Sequence, residues 1–152
     1  MTVQEKIKQV IESLGEVYLH ENWQTANVRI DKMPLPCVLN VLPVSGAFQF
    51  GTSRVKDKPN CMIAFMDKSD FDFDGQENDV VVERCKCRAM AFLIELGRSG
   101  LFKQVTGDIR YSVFYDRMDV NVTGIVIEFT PEEIQGTILC PGKTSKEIAD
   151  GR

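Results

Sequence analysis

An acidic segment is the part of this sequence that most resembles a binding site. Asp70, Asp72 and Asp74 alternate with phenylalanines and precede a glycine, as in the first half of a calcium-binding loop. The twelfth position of such a loop is a bidentate glutamate, but here it is Val81, and Glu83 lies two residues too late. The alternative is an acidic, solvated loop before a helix, where negative charge suits the helix dipole. We therefore assign no metal site and keep the three aspartates as the only candidate ligands.

Residues 142–145, Gly-Lys-Thr-Ser, resemble the end of a phosphate-binding P-loop. Four residues separate the two glycines of a P-loop, whereas five separate Gly136 from Gly142. Pro141 also removes a backbone donor that a phosphate would need. We therefore predict no nucleotide site.

The histidine and cysteine residues of this sequence do not form a recognisable catalytic or zinc-binding motif. Cys85 and Cys87 lie two residues apart on a predicted helix and point to different sides, so they cannot easily share a zinc ion. We assign Cys85 to the core and Cys87 to the surface or an interface. His20, the only histidine, is predicted to cap the end of the first helix. Since no nucleophile–base pair is visible, we predict no catalytic residue, no cofactor and no enzymatic activity.

Charge is distributed unevenly along the chain. Residues 67–79 contain six acids and one base, for a net charge of −5, and residues 83–103 carry a net charge of +3. We predict that these two surfaces meet head to tail between identical subunits, aspartates of one against arginines of the next. The residues of this predicted interface are Asp70, Asp72, Asp74, Arg84 and Arg88. The alternative is a solvated loop beside a solvated helix face.

The composition is typical of a single globular domain. The chain has 152 residues, of which 43% are hydrophobic and 26% charged, enough for one core. The net charge of −4 gives no general attraction to nucleic acid or anionic lipid, and no apolar run predicts a membrane span. Charged residues interrupt the first 14 positions, so we expect no signal peptide. Five scattered cysteines favour a reducing cytoplasm over a disulfide framework.

Hydrophobic periodicity predicts two long helices. Residues 3–19 place apolar side chains at three- and four-residue steps, and Thr2 with Glu5 has the spacing of a capping box. Residues 78–98 repeat the apolar stripe, with Gly97 and Gly100 at the end.

Strand-like segments surround the second helix. Residues 52–60 are polar and are predicted to be a loop between two strands. The last unit is a long antiparallel hairpin with arms at 108–115 and 119–130 and a turn near Asp116 and Arg117. The other predicted strands are residues 26–32, 37–42, 47–51 and 61–66.

This order of elements predicts an α+β fold. We expect a mostly antiparallel sheet with two helices packed on one face and a long C-terminal hairpin. Residues 1–131 form a single α+β domain, and the polar residues 132–152 form an extended C-terminal arm or tail.

The arrangement resembles the tail-terminator and tail-completion proteins, the small neck proteins of tailed phages and prophages. The resemblance covers residues 3–130 and depends on the order, size and pattern of the elements. The features that carry it are the N-terminal helix ending near Tyr18-Leu19, the strand Leu35-Pro36-Cys37-Val38-Leu39, variable loops after Phe50, the helix 81–96 and the hairpin 109–129.

The resemblance implies a structural virion protein, assembled in the host bacterial cytoplasm. Such proteins form rings, often hexameric, at the head–tail neck, where they terminate or join the tail tube. The expected partners are therefore copies of the chain, tail tube proteins and the head connector. DNA would pass through the lumen without specific binding, and no membrane would be involved.

Two other classes of function remain open from the sequence. The first is a small cytoplasmic regulatory module that binds a divalent cation through Asp70, Asp72 and Asp74. The second is a hydrolase that uses the acidic cluster and His20, which lacks a visible nucleophile.

Overall fold

The computed structural model of the chain describes residues 1–51, 55–70 and 72–136. Those residues form three helices and seven strands. In chain order the elements are α1 (Val3–Ser13), β1 (Val17–Glu21), α2 (Trp23–Ile30), β2 (Cys37–Val41), β3 (Gly46–Phe50), β4 (Val55–Pro59), β5 (Cys61–Lys68), α3 (Gly75–Arg98), β6 (Arg110–Arg117) and β7 (Val122–Phe129).

Five strands form the main sheet, in the order β1-β2-β5-β7-β6. The pair β1–β2 is parallel, and the other three pairs are antiparallel, so the sheet is mixed. Strands β3 and β4 pair antiparallel with each other in a separate two-stranded sheet. The predicted α+β class and the C-terminal hairpin are confirmed, and the parallel pair was not predicted.

One face of the main sheet is covered by α1 and α3. Their buried apolar side chains share one core cluster with residues of β2, β5 and β7. Phe92 of α3 contacts both Phe65 and Phe129, with ring centroids 5.9 and 6.0 Å apart. At the start of α1, Thr2 and Glu5 form the predicted capping box.

The opposite face is covered by α2, in a segment that the sequence predicts as a strand. Asn22 caps this helix, since its side-chain oxygen accepts a hydrogen bond from the Thr25 N–H at 2.8 Å. Ala26 and Ile30 lie one helical turn apart and are buried against the sheet. The alternation at residues 26–32 is misleading because Val28, one of its apolar members, is 72% exposed. The strand prediction is therefore wrong.

The first helix is shorter than predicted, because the chain turns at Gly15. This residue has φ +75, a left-handed conformation in which glycine carries no steric penalty. Residues 17–19, assigned to the end of the helix by their spacing, instead belong to β1 beside β2. The helical spacing of apolar residues extends past the end of α1 because β1 also has a buried apolar residue, Leu19.

The polar segment at 52–60 is a strand over most of its length. Val55–Pro59 forms β4 and pairs with β3. The prediction of a loop fails because this strand does not enter the main core and therefore lacks an apolar face. Thr52, Ser53 and Arg54 lie outside the described residues.

The second half of the chain follows its prediction closely. Helix α3 begins three residues earlier than expected, at Gly75, and ends at Arg98 as predicted. In the hairpin β6–β7 the connection follows Arg117, which pairs with Val122, so it comes slightly later than expected. Asp116, Met118 and Asn121 have positive φ angles in and around this turn.

Residues that follow the last strand remain attached to the domain. The Glu133 carboxylate is fully buried and accepts a hydrogen bond from the Lys6 ammonium of α1 at 2.7 Å. Backbone hydrogen bonds also join Lys103 to Glu132 and Ile134 to Leu101. The start of the predicted C-terminal tail, residues 132–152, is thus anchored to the domain. Residues 137–152 lie outside the described part of the chain. Within the described residues, no helix combines the length and hydrophobicity needed to cross a bilayer.

Candidate functional site

The acidic segment leads directly into the N-terminus of α3. Asp70 and Asp72 are exposed to solvent. Asp74 is the N-cap of α3, and its carboxylate accepts a hydrogen bond from the Glu77 N–H at 2.9 Å. A carboxylate at this position also stabilises the helix through its dipole. Asp74 therefore has the capping role that the sequence offered as the alternative to cation binding.

The structure does not gather the three aspartates into a metal site. Among residues 1–51, 55–70 and 72–136, no group of three or more histidine, cysteine, aspartate or glutamate side chains is arranged to hold a metal ion. Asp67, just before the segment, instead pairs with Arg84 at 3.6 Å.

Arg88 binds within its own subunit. Its guanidinium donates two hydrogen bonds to the Glu16 carboxylate, from Nε at 2.8 Å and from Nη2 at 2.7 Å. Nη1 and Nη2 also donate to the backbone oxygens of Met66 and Cys37, each at 3.1 Å. The side chain is 17% exposed. Arg88 therefore joins α3 to the sheet and to the α1–β1 turn, a role that differs from the predicted contact with a neighbouring subunit.

Arg84, one helical turn earlier, has a different environment. Its side chain is 59% exposed, and its ion pair with Asp67 is long. An exposed pair of this kind contributes at most about 1 kcal/mol. Of the two predicted interface arginines, Arg84 is the one whose guanidinium faces solvent.

His20 lies in β1, so its predicted role as a helix cap is wrong. The imidazole Nδ1 donates to the Asn40 carbonyl oxygen at 2.8 Å, because a carbonyl can only accept. The ring also stacks on Tyr18, with centroids 6.3 Å apart. These contacts give His20 a structural role across the β1–β2 pair.

Two cysteines were assigned from the sequence, and both lie where predicted: Cys85 is buried and Cys87 is exposed. Cys37 and Cys61 are also buried. Burial raises the pKa of the Cys37 and Cys61 thiols to about 12 and that of Cys85 to about 11. A thiol with so high a pKa is a poor nucleophile and metal ligand at neutral pH.

The two-stranded sheet of β3 and β4, here called the arm, is the feature that the sequence reasoning missed. All five residues of β3 are exposed, including Phe48 at 59% and Phe50 at 78%. Phe48 pairs with Asp57 and Phe50 with Val55, so these four side chains lie on one face of the arm. The sequence signal that could have revealed it is the polar strand β4. Because β4 has no apolar face, the aromatic residues of its partner β3 have no core to pack into.

A second exposed apolar surface, here called the α3 stripe, lies on the outer side of α3. Met90 and Ile94 are 55% and 57% exposed, and Arg98 continues the same stripe one turn later. Beside the stripe is a groove of about 500 Å³ between α3 and the segment after it. The groove is lined by Met90, Leu93, Ile94, Gly97, Arg98, Gln104, Val105, Gly107 and Ile109.

Three exposed surfaces therefore stand out among the described residues. The arm and the α3 stripe are exposed and apolar, and the acidic segment is exposed and charged. No protein-family model, curated protein or solved structure gives a significant match to this chain.

Proposed function

We propose that this chain is a structural virion protein of a tailed phage or prophage. In this proposal, copies of the chain form a ring, a hexamer by analogy with the family it resembles, at the head–tail neck. The ring terminates the tail tube or joins it to the head connector. The observation that carries the proposal is the arm, whose aromatic side chains are exposed in the single subunit.

An isolated two-stranded sheet is marginally stable in water, and exposed aromatic residues on it favour a protein partner. Phe48 and Phe50 together offer an apolar surface that a neighbouring copy can bury. When different patches of identical subunits meet head to tail, the contact closes into a ring if the rotation permits. The arm and the α3 stripe are two such different patches.

The role of the acidic segment follows from the same assembly. Asp70 and Asp72 are exposed, and like charge repels the phosphate backbone of DNA. If the segment lines the lumen, DNA passes through the ring without specific binding. Arg84 is then the remaining candidate for an ion pair with a neighbour's aspartates.

The experiment is to purify the chain and determine its oligomeric state by sedimentation velocity and negative-stain electron microscopy. We expect closed rings with a central hole and a mass that is a whole multiple of 17.2 kDa. A monomer at every concentration up to about 100 μM, well above the Kd of stable assemblies, would contradict the proposal. Deleting the gene from the phage or prophage should leave heads and tails unjoined, or tails of irregular length.

A further inference from the structure

The arm has two chemically different faces. Phe48, Phe50, Val55 and Asp57 share one face, which is exposed at both aromatic residues. The opposite face includes Lys56, which pairs with Glu132 of its own subunit at 3.5 Å. The basic face is therefore turned toward its own domain at Lys56, whereas the other face is partly buried at Val55 and Asp57 and leaves both aromatic side chains available to another molecule.

The α3 stripe offers a surface of matching size. Phe48 and Phe50 lie two positions apart on a strand, or about 6.7 Å. Met90 and Ile94 lie four positions apart on a helix, or about 6 Å. The groove beside the stripe, about 500 Å³ in volume, is lined mostly by apolar side chains. Aromatic side chains at the spacing of the arm can thus lie along the stripe and enter the groove.

The charges on the two surfaces are also complementary. Asp57 lies directly across from Phe48 on the arm, and Arg98 lies one turn after Ile94 on α3. Neither residue has an ion-pair partner within the described part of its own subunit. Each surface therefore carries two apolar side chains and, beside them, one charge of opposite sign.

We infer that the partner of the arm is a second copy of this chain. In this arrangement Phe48 and Phe50 of one copy lie on the α3 stripe and groove of the next, and Asp57 pairs with the neighbour's Arg98. The arm and the groove of one subunit are both exposed, so they are not covering each other. The inference depends on the proposed ring and assigns the surfaces that close it.

The first test removes each apolar surface in turn. Phe48→Ser with Phe50→Ser defines an arm variant, and Ile94→Ser defines a groove variant. We expect each to sediment as a monomer where the wild type forms rings, with the dissociation constant between neighbouring copies raised at least about 100-fold. Val28→Ser is the matched control, because Val28 is also an exposed apolar residue, at 72%, but lies on α2. Rings that survive in both variants would overturn the inference.

Mixing the two variants gives a sharper result. The groove of the arm variant and the arm of the groove variant are both intact, so one productive contact forms between unlike copies. We expect the equimolar mixture to give dimers, with twice the mass of the chain, and no ring. A mixture that remains monomeric would overturn the inference, because the two surfaces would then not be partners.

The second test exchanges the charges. Asp57→Arg and Arg98→Asp should each weaken the ring, and the double variant should restore it, because the ion pair is rebuilt with reversed sign. Lys32→Asp, at an exposed lysine just after the C-terminus of α2, is the control and should keep the ring. Failure of the double variant to recover would overturn the pairing.

The result for the wild type separates the two proposals. A wild-type chain that is monomeric at all concentrations would overturn the proposed ring and this inference together. A wild-type ring that tolerates the arm, groove and charge variants would overturn only the assignment of the contact.

Discussion

Three elements of the fold converge on Arg88. Its guanidinium joins α3 to Glu16 and to the backbone oxygens of Cys37 and Met66, which are paired residues at one end of β2 and β5. An arginine suits this position because its planar guanidinium can donate hydrogen bonds to a carboxylate and two carbonyl oxygens at once. The positive charge that suggested an intermolecular contact is therefore used to hold the subunit together.

Replacing Arg88 with alanine should destabilise the protein by about 3–5 kcal/mol, because it leaves Glu16 and two carbonyl oxygens without their donor. Arg84→Ala is the matched control one turn away, and its exposed ion pair predicts a loss below about 1 kcal/mol. Urea denaturation followed by circular dichroism measures both losses. Equal midpoints for the two variants would contradict the role assigned to Arg88.

Asp74 provides a test that separates helix capping from calcium binding. Asp74→Ala should lower the stability by about 1 kcal/mol, whereas Asp74→Asn should be nearly neutral, because asparagine caps as well as aspartate. Asp72→Ala, at an exposed position before the cap, is the control. Thermal melts with and without millimolar calcium should agree for all of these proteins. A calcium-dependent rise in Tm that is lost in Asp74→Asn would instead favour the cation-binding module.

At the scale of elements, the strand pair β5–β7 requires close backbone contact. Gly124 pairs with Met66 at the middle of the sheet. A Cβ at this position would overlap the carbonyl oxygen of Phe65 and lie 2.9 Å from the Met66 Cα. Because these neighbours are backbone atoms, they cannot move aside without distorting the sheet.

Gly124→Ala should therefore cost about 3 kcal/mol of stability, the upper end of the usual penalty for overpacking. Gly15→Ala is the comparison, since Gly15 has φ +75 but no atom within 4 Å of the added Cβ, and it should cost about 1–2 kcal/mol. Thermal denaturation of the two variants measures the difference. A Gly124→Ala protein as stable as Gly15→Ala would show that the strands separate more easily than this geometry implies.

The elements also show where local patterns predict structure well. Helix α3 was predicted because it is long and its apolar residues keep one helical period. The hairpin β6–β7 was predicted because two long strand-like segments lie on either side of a polar turn. In contrast, α2 has only eight residues, and a short helix carries too few repeats to be distinguished from a strand. Residues 17–19 were placed in the first helix because a buried strand and a helix can share the same apolar positions over one turn.

At the scale of the whole molecule, the exposed apolar surfaces are spread over different elements. The arm lies between β2 and β5 in the chain, the α3 stripe is on the exposed side of α3, and the acidic segment precedes α3. Distinct surfaces on one subunit suit head-to-tail assembly, in which each copy uses one surface toward each neighbour. The ring that we propose depends on these surfaces.

The sequence by itself determined the α+β class, the long third helix, the closing hairpin and the separation of the acidic and basic segments. These features depend on local periodicity and composition, which the order of residues specifies directly. Only the tertiary structure decided that Arg88 is internal, that Asp74 is a cap, and that Phe48 and Phe50 remain outside the core. Those outcomes depend on which distant elements come together, and burial is a property of that packing rather than of any short segment.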